Sequence, residues 1–480
     1  MSAHIINVIE NVNQVVNGFV WGPFMLALLV GTGVIISIRS GFPQITKLKV
    51  ILKNTGGKLF SKDIRKKDES GISQYQAIET ALASTVGTGN ISGVATAIVA
   101  GGPGAIFWMW VSALFGIMTK FAEVTLSVKY REKNEKNEWV GGPMYYIENG
   151  LHMRWLGVLF AVFAAVASLG TGNMAQCNSI SVALSSTLNI STSVTGIGLC
   201  LITSFVIFGG ISRIARVTEK LVPMMGAFYI LLGLVTIGMN IEVLPAAFGV
   251  IFKSAFNPQA AFGGALGYTV MNAVKFGIAR GVFSNEAGLG SGPIAHAASN
   301  TDHPVKQGMW GAFEVIFSTF IICTITGLVI IMSGLWTEGA ALDGAALSIE
   351  AFSGSVGALG KIGVSFGIVL FALSTLLGWS YYGEKAIEYV FKGKNCVGAV
   401  KFVYKLIYIG MCYVGSVGGL QLVWGISDTL NGMMAMPNLI ALIALSGTVT
   451  RMIKDYLKNG NTVKEEITEE LQEEEEEFVA

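Results

Sequence analysis

The sequence predicts an all-α polytopic membrane protein: one extra N-terminal transmembrane helix, then two inverted repeats of five helices, eleven spans in all. Three observations carry this. Of 480 residues, 52% are hydrophobic and 13% charged, far from the composition of a soluble domain. Apolar stretches of about twenty residues, the length that crosses a bilayer, recur along the chain. Two of these stretches are interrupted by glycine clusters at matching positions of two halves, the sequence pointer to an inverted-repeat transporter.

The spans fall at 17–38, 73–100, 104–128, 155–187, 193–211, 221–240, 265–298, 309–334, 358–391, 398–417 and 437–456. The first of them suits an uncleaved span better than a signal peptide, because no basic n-region precedes it. The segment "LQLVWGISDTLNGMM" at 420–434 is short and carries Asp428; it is expected as an extracellular, non-spanning helix. Basic residues mark alternate loops: Arg39 to Lys67, Lys129 to Lys136, Arg213 to Lys220, Lys306, Lys392 to Lys405 and Arg451 to Lys458. Assigned to the cytoplasm, they put the N-terminus outside and the C-terminus inside, which needs an odd number of spans. The expected organisation is an extra helix (1–40), a basic cytoplasmic loop (41–72), a first repeat (73–240), an extracellular connection (241–264), a second repeat (265–458) and an acidic disordered cytoplasmic tail (459–480). The tail contains "EEEEE" and has no apolar periodicity, as a solvated end should.

Composition also excludes function classes. A formal net charge of +1 points to no nucleic-acid partner, and nothing points to an obligatory protein partner; the surroundings are membrane lipid. The five cysteines have no paired spacing, so neither a disulfide framework nor a metal site follows. The four histidines form no zinc pattern. No phosphate-binding GxxxxGK[ST] loop is present, which argues against ATP as energy source. No nucleophile–base pattern marks an enzyme, and no ring of repeated charges marks a channel.

The first interruption reads "ASTVGTGNISG", residues 83–93. A helix in lipid unwinds only where its freed backbone groups find partners or line a site, and glycine lowers the cost of leaving helical geometry. Freed N–H groups there suit an anion and freed carbonyls a cation. Gly89 and Gly93 also form GxxxG, which equally marks close helix packing. The second interruption, "KFGIARGVFSNEAGLGSGP" at 275–293, lies in a span of opposite direction; packing alone does not predict that correspondence. The span 358–391 carries adjacent hydroxyls, Ser374 and Thr375. They suit either a bond back to the carbonyl four residues earlier or an oxygen-ligated cation. Intramembrane charges are costly and count as functional hypotheses; Glu79, Lys275, Arg280, Glu286 and Glu314 qualify, with Arg280 and Glu286 expected to pair. Lys120, Glu123, Glu384 and Lys385 fall near cytoplasmic ends, where snorkelling is the simpler account.

At "GGPGAIFWMWVSALFG" (101–116), "GGPMYYIENGL" (141–151) and "FSNEAGLGS" (283–291) the sequence resembles the alanine or glycine:cation symporter family. The resemblance runs over essentially the whole chain. It implies a LeuT-type fold with one extra N-terminal span and a sodium-coupled importer of small neutral amino acids.

Aligned with the first broken helix of that fold, Val86-Gly87-Thr88-Gly89-Asn90 implies specific roles. The N–H groups of Thr88 and Gly89 would hold the substrate carboxylate, and the Thr85 carbonyl its ammonium group. The carbonyls of Ala83, Val86 and Phe371, with Ser374 and Thr375, would bind Na⁺; Asn90 resembles a ligand of a second sodium site. Trp379, one turn beyond Thr375, would limit side-chain size, with Phe276, Gly277 and Ile278 closing the apolar side at the second break. Thr171, Asn173 and Gln176 are polar candidates at mid-membrane, equally suited to interhelical hydrogen bonds. The expected function is Na⁺-driven import of alanine or glycine by alternating access, without a covalent step. The rival is a proton-coupled or exchange carrier with Glu79 or Glu286 as the titrating group.

Overall fold

The computed structural model describes residues 3–66, 71–256, 270–337 and 342–459. The acidic tail from 460, part of the basic loop at 67–70 and the start of the expected seventh span at 265–269 lie outside the described residues.

Among the described residues, seven helices are long and apolar enough to cross a membrane, and a bent pair near the C-terminus passes the same test when its two helices are taken together. The remaining three of the eleven are the two interrupted spans and the shorter Thr192–Ile207 helix. In chain order, span 1 is Ala3–Val20 and Pro23–Ser40, joined through Trp21 and Gly22. Span 2 is Gln74–Thr85 and Ser92–Gly101, with a 3₁₀ turn at Thr88–Asn90 in the gap. Spans 3 to 6 are Gly104–Lys129, Arg154–Leu188, Thr192–Ile207 and Gly210–Met239. Span 7 is Val270–Asn285 and Pro293–Ala297. Spans 8 to 11 are Pro304–Ser333, Ala358–Val390, Val397–Val417 and Leu420–Ala444.

The last span departs from expectation. Residues 420–434 are not a separate surface helix but the first half of span 11, Leu420–Ala444. Asp428 is tolerated there because Arg280 of span 7 grips it with two bonds, of 2.6 and 2.8 Å. Arg280 therefore does not pair with Glu286. The stretch expected as the last span instead breaks after Ala444, and Ser446–Asn459 turns away by 62°. That helix buries Val449, Met452 and Ile453 and exposes Arg451 and Lys454, the pattern of a helix lying along a membrane surface.

The spans pack as two groups. Span 3 lies between spans 7 and 8, with span 2 against span 7; span 9 packs against span 4, and span 10 against span 5. Span 6 touches both groups, through span 2 and span 9. The glycine-rich run at 101–116 is structural. A Cβ on Gly104 would come within 2.6 Å of the Ala255 nitrogen, so only glycine lets the helix Leu244–Phe256 approach. Trp108 Nε1 donates to the Ala255 carbonyl at 3.2 Å and Trp110 Nε1 to Thr324 Oγ1 at 2.9 Å.

Candidate functional site

Span 2 starts with a capping box: Ser73 Oγ accepts from the Gln76 N–H, and Gln76 Oε1 from the Ser73 N–H. The helix then stops at Thr85: Val86 leaves the helical conformation and Gly87 turns extended. In an unbroken helix Gly87 N–H would bond to the Ala83 carbonyl and Thr88 N–H to that of Ser84. Here Gly87 N–H goes to the Thr85 carbonyl (3.2 Å) and Asn90 Oδ1 (3.0 Å). Thr88 N–H and Thr88 Oγ1 both donate to Gln176 Oε1, at 3.2 and 2.9 Å.

The carbonyl groups released by the break find hydroxyls on span 9. Thr375 Oγ1 donates to the Ala83 carbonyl at 2.8 Å and Ser374 Oγ reaches it at 3.2 Å. Ser374 Oγ also lies 2.9 Å from the Phe371 carbonyl, and Thr375 Oγ1 3.3 Å from that of Ser84. Four of the five oxygens expected to hold a cation, those of Ala83, Phe371, Ser374 and Thr375, are thus gathered in one place. Ser374 thus bonds to the carbonyl three residues earlier in its own helix and also across to span 2. The site is tight, since a Cβ on Gly87 would collide with Thr375 Oγ1.

Asn90 pins the break. Its Oδ1 holds the Gly87 N–H, and its Nδ2 donates to the Ser318 carbonyl (3.1 Å) and Ser318 Oγ (2.7 Å). Ser318 lies in a π-helical turn, Ile316–Cys323, whose extra residue brings it across to span 2. Its hydroxyl donates in turn to the Ser284 carbonyl at 2.8 Å.

The second break is at 286–292, not near Gly277. The helix Val270–Asn285 runs unbroken through Phe276, Gly277 and Ile278. Gly277 backs onto span 3, where a Cβ would sit 2.5 Å from the Ala105 carbonyl; it is a packing glycine. The residues of span 7 that meet the first break are Phe283 and Ser284: a Cβ on Gly89 would lie 2.8 Å from Phe283 Cδ1 and 3.2 Å from Ser284 Cα. Sequence reasoning missed them, although both stand in the "FSNEAGLGS" motif.

Span 4 divides its polar residues. A π turn at Gly170–Met174 rotates the helix beyond it, so Gln176 reaches Thr88. Asn173 faces the other way, its Nδ2 donating to the Tyr408 carbonyl of span 10 at 2.6 Å, and Thr171 Oγ1 bonds to the Ser427 carbonyl of span 11 at 3.0 Å. Trp379 packs on Gly172, where any Cβ would run into its side chain. Its Nε1 donates to Glu286 Oε1 at 2.8 Å.

The arrangement offers backbone N–H and hydroxyl donors for an anion beside an oxygen-only cluster. Hard cations take oxygen ligands of this kind. Among the described residues, no group of histidine, cysteine and carboxylate side chains is arranged to hold a transition metal.

Comparison with known proteins bears on both fold and site. A family model described as the sodium:alanine symporter family matches residues 6–470. The sodium/alanine symporter AgcS of Methanococcus maripaludis is 48% identical over 447 residues, covering 92% of this chain and 96% of its own. The probable sodium/glutamine symporter GlnT of Bacillus subtilis is 37% identical over 461 residues, covering 96% and 93%. Among solved structures, MhsT in complex with L-phenylalanine superposes with a TM-score of 0.56 at 13% identity, over 81% of this chain and 99% of that one. At that identity the likeness speaks for the fold alone, and the fold is LeuT-type.

Proposed function

Because this chain belongs to the sodium:alanine symporter family, a family of secondary transporters and not of enzymes, we propose that it imports alanine or glycine with Na⁺. It is a multi-pass membrane protein for cation-coupled amino-acid symport. The observation that supports Na⁺ is the convergence of Ser374 and Thr375 hydroxyls on the Ala83 carbonyl, at 3.2 and 2.8 Å, across a helix break.

The proposed cation ligands are the carbonyls of Ala83, Val86 and Phe371 with the two hydroxyls. When Na⁺ enters, each hydroxyl turns a lone pair inward and the carbonyls exchange hydrogen-bond donors for the ion. This ties span 9 to the end of Gln74–Thr85 and orders the break. The donors of Thr88 and the Gly89 N–H then meet the substrate carboxylate. Gln176 Oε1 now accepts from both Thr88 donors, and on this reading it yields them to a carboxylate oxygen when the amino acid binds. The Thr85 carbonyl takes the ammonium group. The apolar wall combines Phe283 with Trp379, and the small space so left favours a hydrogen or methyl side chain. Alanine over glutamine is part of the proposal, since GlnT is named for glutamine. By the basic-loop rule, the N-terminus lies outside and the C-terminus in the cytoplasm.

Linkage tests this reading. If Na⁺ orders the carboxylate donors, Na⁺ must raise alanine affinity by the factor by which alanine raises Na⁺ affinity. Equilibrium binding of alanine to the purified protein at low and saturating Na⁺, with K⁺ as the replacement ion, measures that factor. Alanine binding indifferent to Na⁺ contradicts it.

A further inference from the structure

Lys120 does not snorkel. It lies in the interior of the protein with a side-chain exposure of 0%, together with Glu286 of the second break and Glu314 of span 8. Its Nζ is 3.8 Å from Glu286 Oε2 and 3.7 Å from Glu314 Oε2. Those distances are ion-pair contacts without a hydrogen bond, and Lys120 Nζ and Glu314 Oε2 both lack a hydrogen-bond partner among the described residues. Buried ammonium and carboxylate groups that serve only as a structural bridge are expected at about 2.7–2.9 Å, with their remaining valences filled.

The fourth member is His296, on the short helix Pro293–Ala297 that follows the break. Its Nε2 lies 2.5 Å from Glu314 Oε1, and its Nδ1 2.7 Å from Gln307 Nε2. Gln74 Nε2 donates to Gln307 Oε1 at 2.9 Å. That chain turns the Gln307 amino group toward His296, so Nδ1 accepts and the ring hydrogen sits on Nε2, facing Glu314. Counted formally, with the imidazole uncharged, Lys120, Glu286 and Glu314 leave one excess negative charge. An uncompensated charge at this depth is costly, and one added proton cancels it.

Other ionisable groups surround the four. Glu123, one turn along span 3, accepts from the Gly288 N–H at 3.0 Å and from Asn438 Nδ2 at 2.6 Å. Glu79 of span 2 lies within electrostatic range of Glu314, as well as of Tyr75, Arg65 and Glu219. Tyr382 of span 9 is in range of Glu286. Toward the substrate region, Glu286 is tied by Ser291 Oγ (2.6 Å) and by Trp379 Nε1 (2.8 Å). The cluster therefore sits on spans 3, 7 and 8 and reaches span 9 through Trp379, from the packing group of spans 3, 7 and 8 to that of spans 4 and 9.

We propose that Lys120, Glu286, His296 and Glu314 form a proton-binding site whose occupancy is linked to amino-acid binding through the Glu286–Trp379 bond. A proton bound at any one of the four changes the electrostatic field at the other three. Adding a proton removes the excess negative charge that draws Lys120 between the two glutamates, and so alters the hold of Glu286 on Trp379. Any ligand that moves Trp379 must in turn change the proton affinity of the cluster.

The test rests on the reading of alanine as ligand and uses the full chain in detergent with saturating Na⁺. Alanine is titrated calorimetrically in buffers of different ionisation enthalpy, such as phosphate and Tris, from about pH 6 to 8, where His-linked groups titrate. The expected result is an apparent binding enthalpy that changes linearly with buffer enthalpy, the slope being the protons exchanged. Glu314→Gln and His296→Gln should each flatten that slope. A zero slope for the unmodified protein at every pH overturns the inference, and does so even if the variants fail to fold. A slope retained in both variants overturns it too. No binding heat or bound label in any buffer contradicts the alanine assignment itself, and with it this one.

Discussion

Trp379 Nε1 donates to Glu286 Oε1 at 2.8 Å, joining the hydroxyl-bearing span 9 to the break of span 7. Trp379→Phe keeps the bulk but leaves a buried carboxylate oxygen without this donor. It should lower stability by about 1–3 kcal/mol, read as a lower melting temperature of the detergent-solubilised protein. Trp379→Ala should also widen the pocket, so that leucine and valine compete with alanine for uptake. Selectivity unchanged by the alanine substitution would place the ring off the pocket.

Thr375→Ala removes the shorter of the two hydroxyl contacts to the Ala83 carbonyl. Half-saturation by Na⁺ should rise about tenfold, equivalent to about 1.4 kcal/mol. Apparent alanine affinity at saturating Na⁺ should change much less, and Thr375→Ser should restore the Na⁺ response. A Na⁺ titration curve that does not move with Thr375→Ala removes this residue from the ligand set.

Gln176→Glu sets a full negative charge against the Thr88 donors that the substrate carboxylate needs. Alanine affinity should fall at least about tenfold, or about 1.4 kcal/mol, whereas Gln176→Ala, which frees those donors, should not weaken it. Equal losses in the two variants would show that charge at this position is not what matters.

Arg280 and Asp428 make a two-pronged pair at 2.6 and 2.8 Å, flanked by Phe283 and Trp424. Breaking it by Asp428→Leu strands a buried guanidinium and should cost about 3–5 kcal/mol. The double substitution Arg280→Met with Asp428→Leu should recover much of that stability. A double variant as unstable as the sum of the singles would mean the two charges act independently.

Cys396 is the exposed cysteine, whereas Cys177, Cys323 and Cys412 are buried and Cys200 is half-buried. It lies in the basic loop between spans 9 and 10. A membrane-impermeant maleimide should label it in inside-out vesicles and leave it untouched in right-side-out ones. The reverse pattern would invert the proposed topology.

Much of this architecture is legible in the sequence because bilayer physics leaves few options. Span length, the Gly87–Thr88–Gly89 interruption and the Ser374–Thr375 pair are local signals, and the structure brings the last two together. The features that stay hidden depend on distant partners. Asp428 reads as a residue too costly for a span until Arg280, distant in sequence, is seen to meet it. Lys120 and Glu123 read as snorkelling from their place near a helix end, but both face inward, which hydropathy does not reveal. The second break reads as lying near Phe276, Gly277 and Ile278 because glycine runs from Gly277 to Gly292 and nothing local says which of them packs and which turns. Gly288 and Gly290 adopt positive φ, 94° and 79°, and these are the turn residues. Asn173 and Gln176 differ only in the rotation imposed by the π turn before Ala175, which leaves no trace in composition.

If a Na⁺ gradient drives the uphill entry of a small amino acid through this site, transport itself must show it. Labelled alanine is offered to proteoliposomes carrying the purified protein, with an inward Na⁺ gradient against equal K⁺ or choline. Na⁺-dependent accumulation above equilibrium is expected, competed by glycine and blunted by Thr375→Ala. Uptake indifferent to Na⁺ and collapsed by a protonophore would refute sodium coupling at this site.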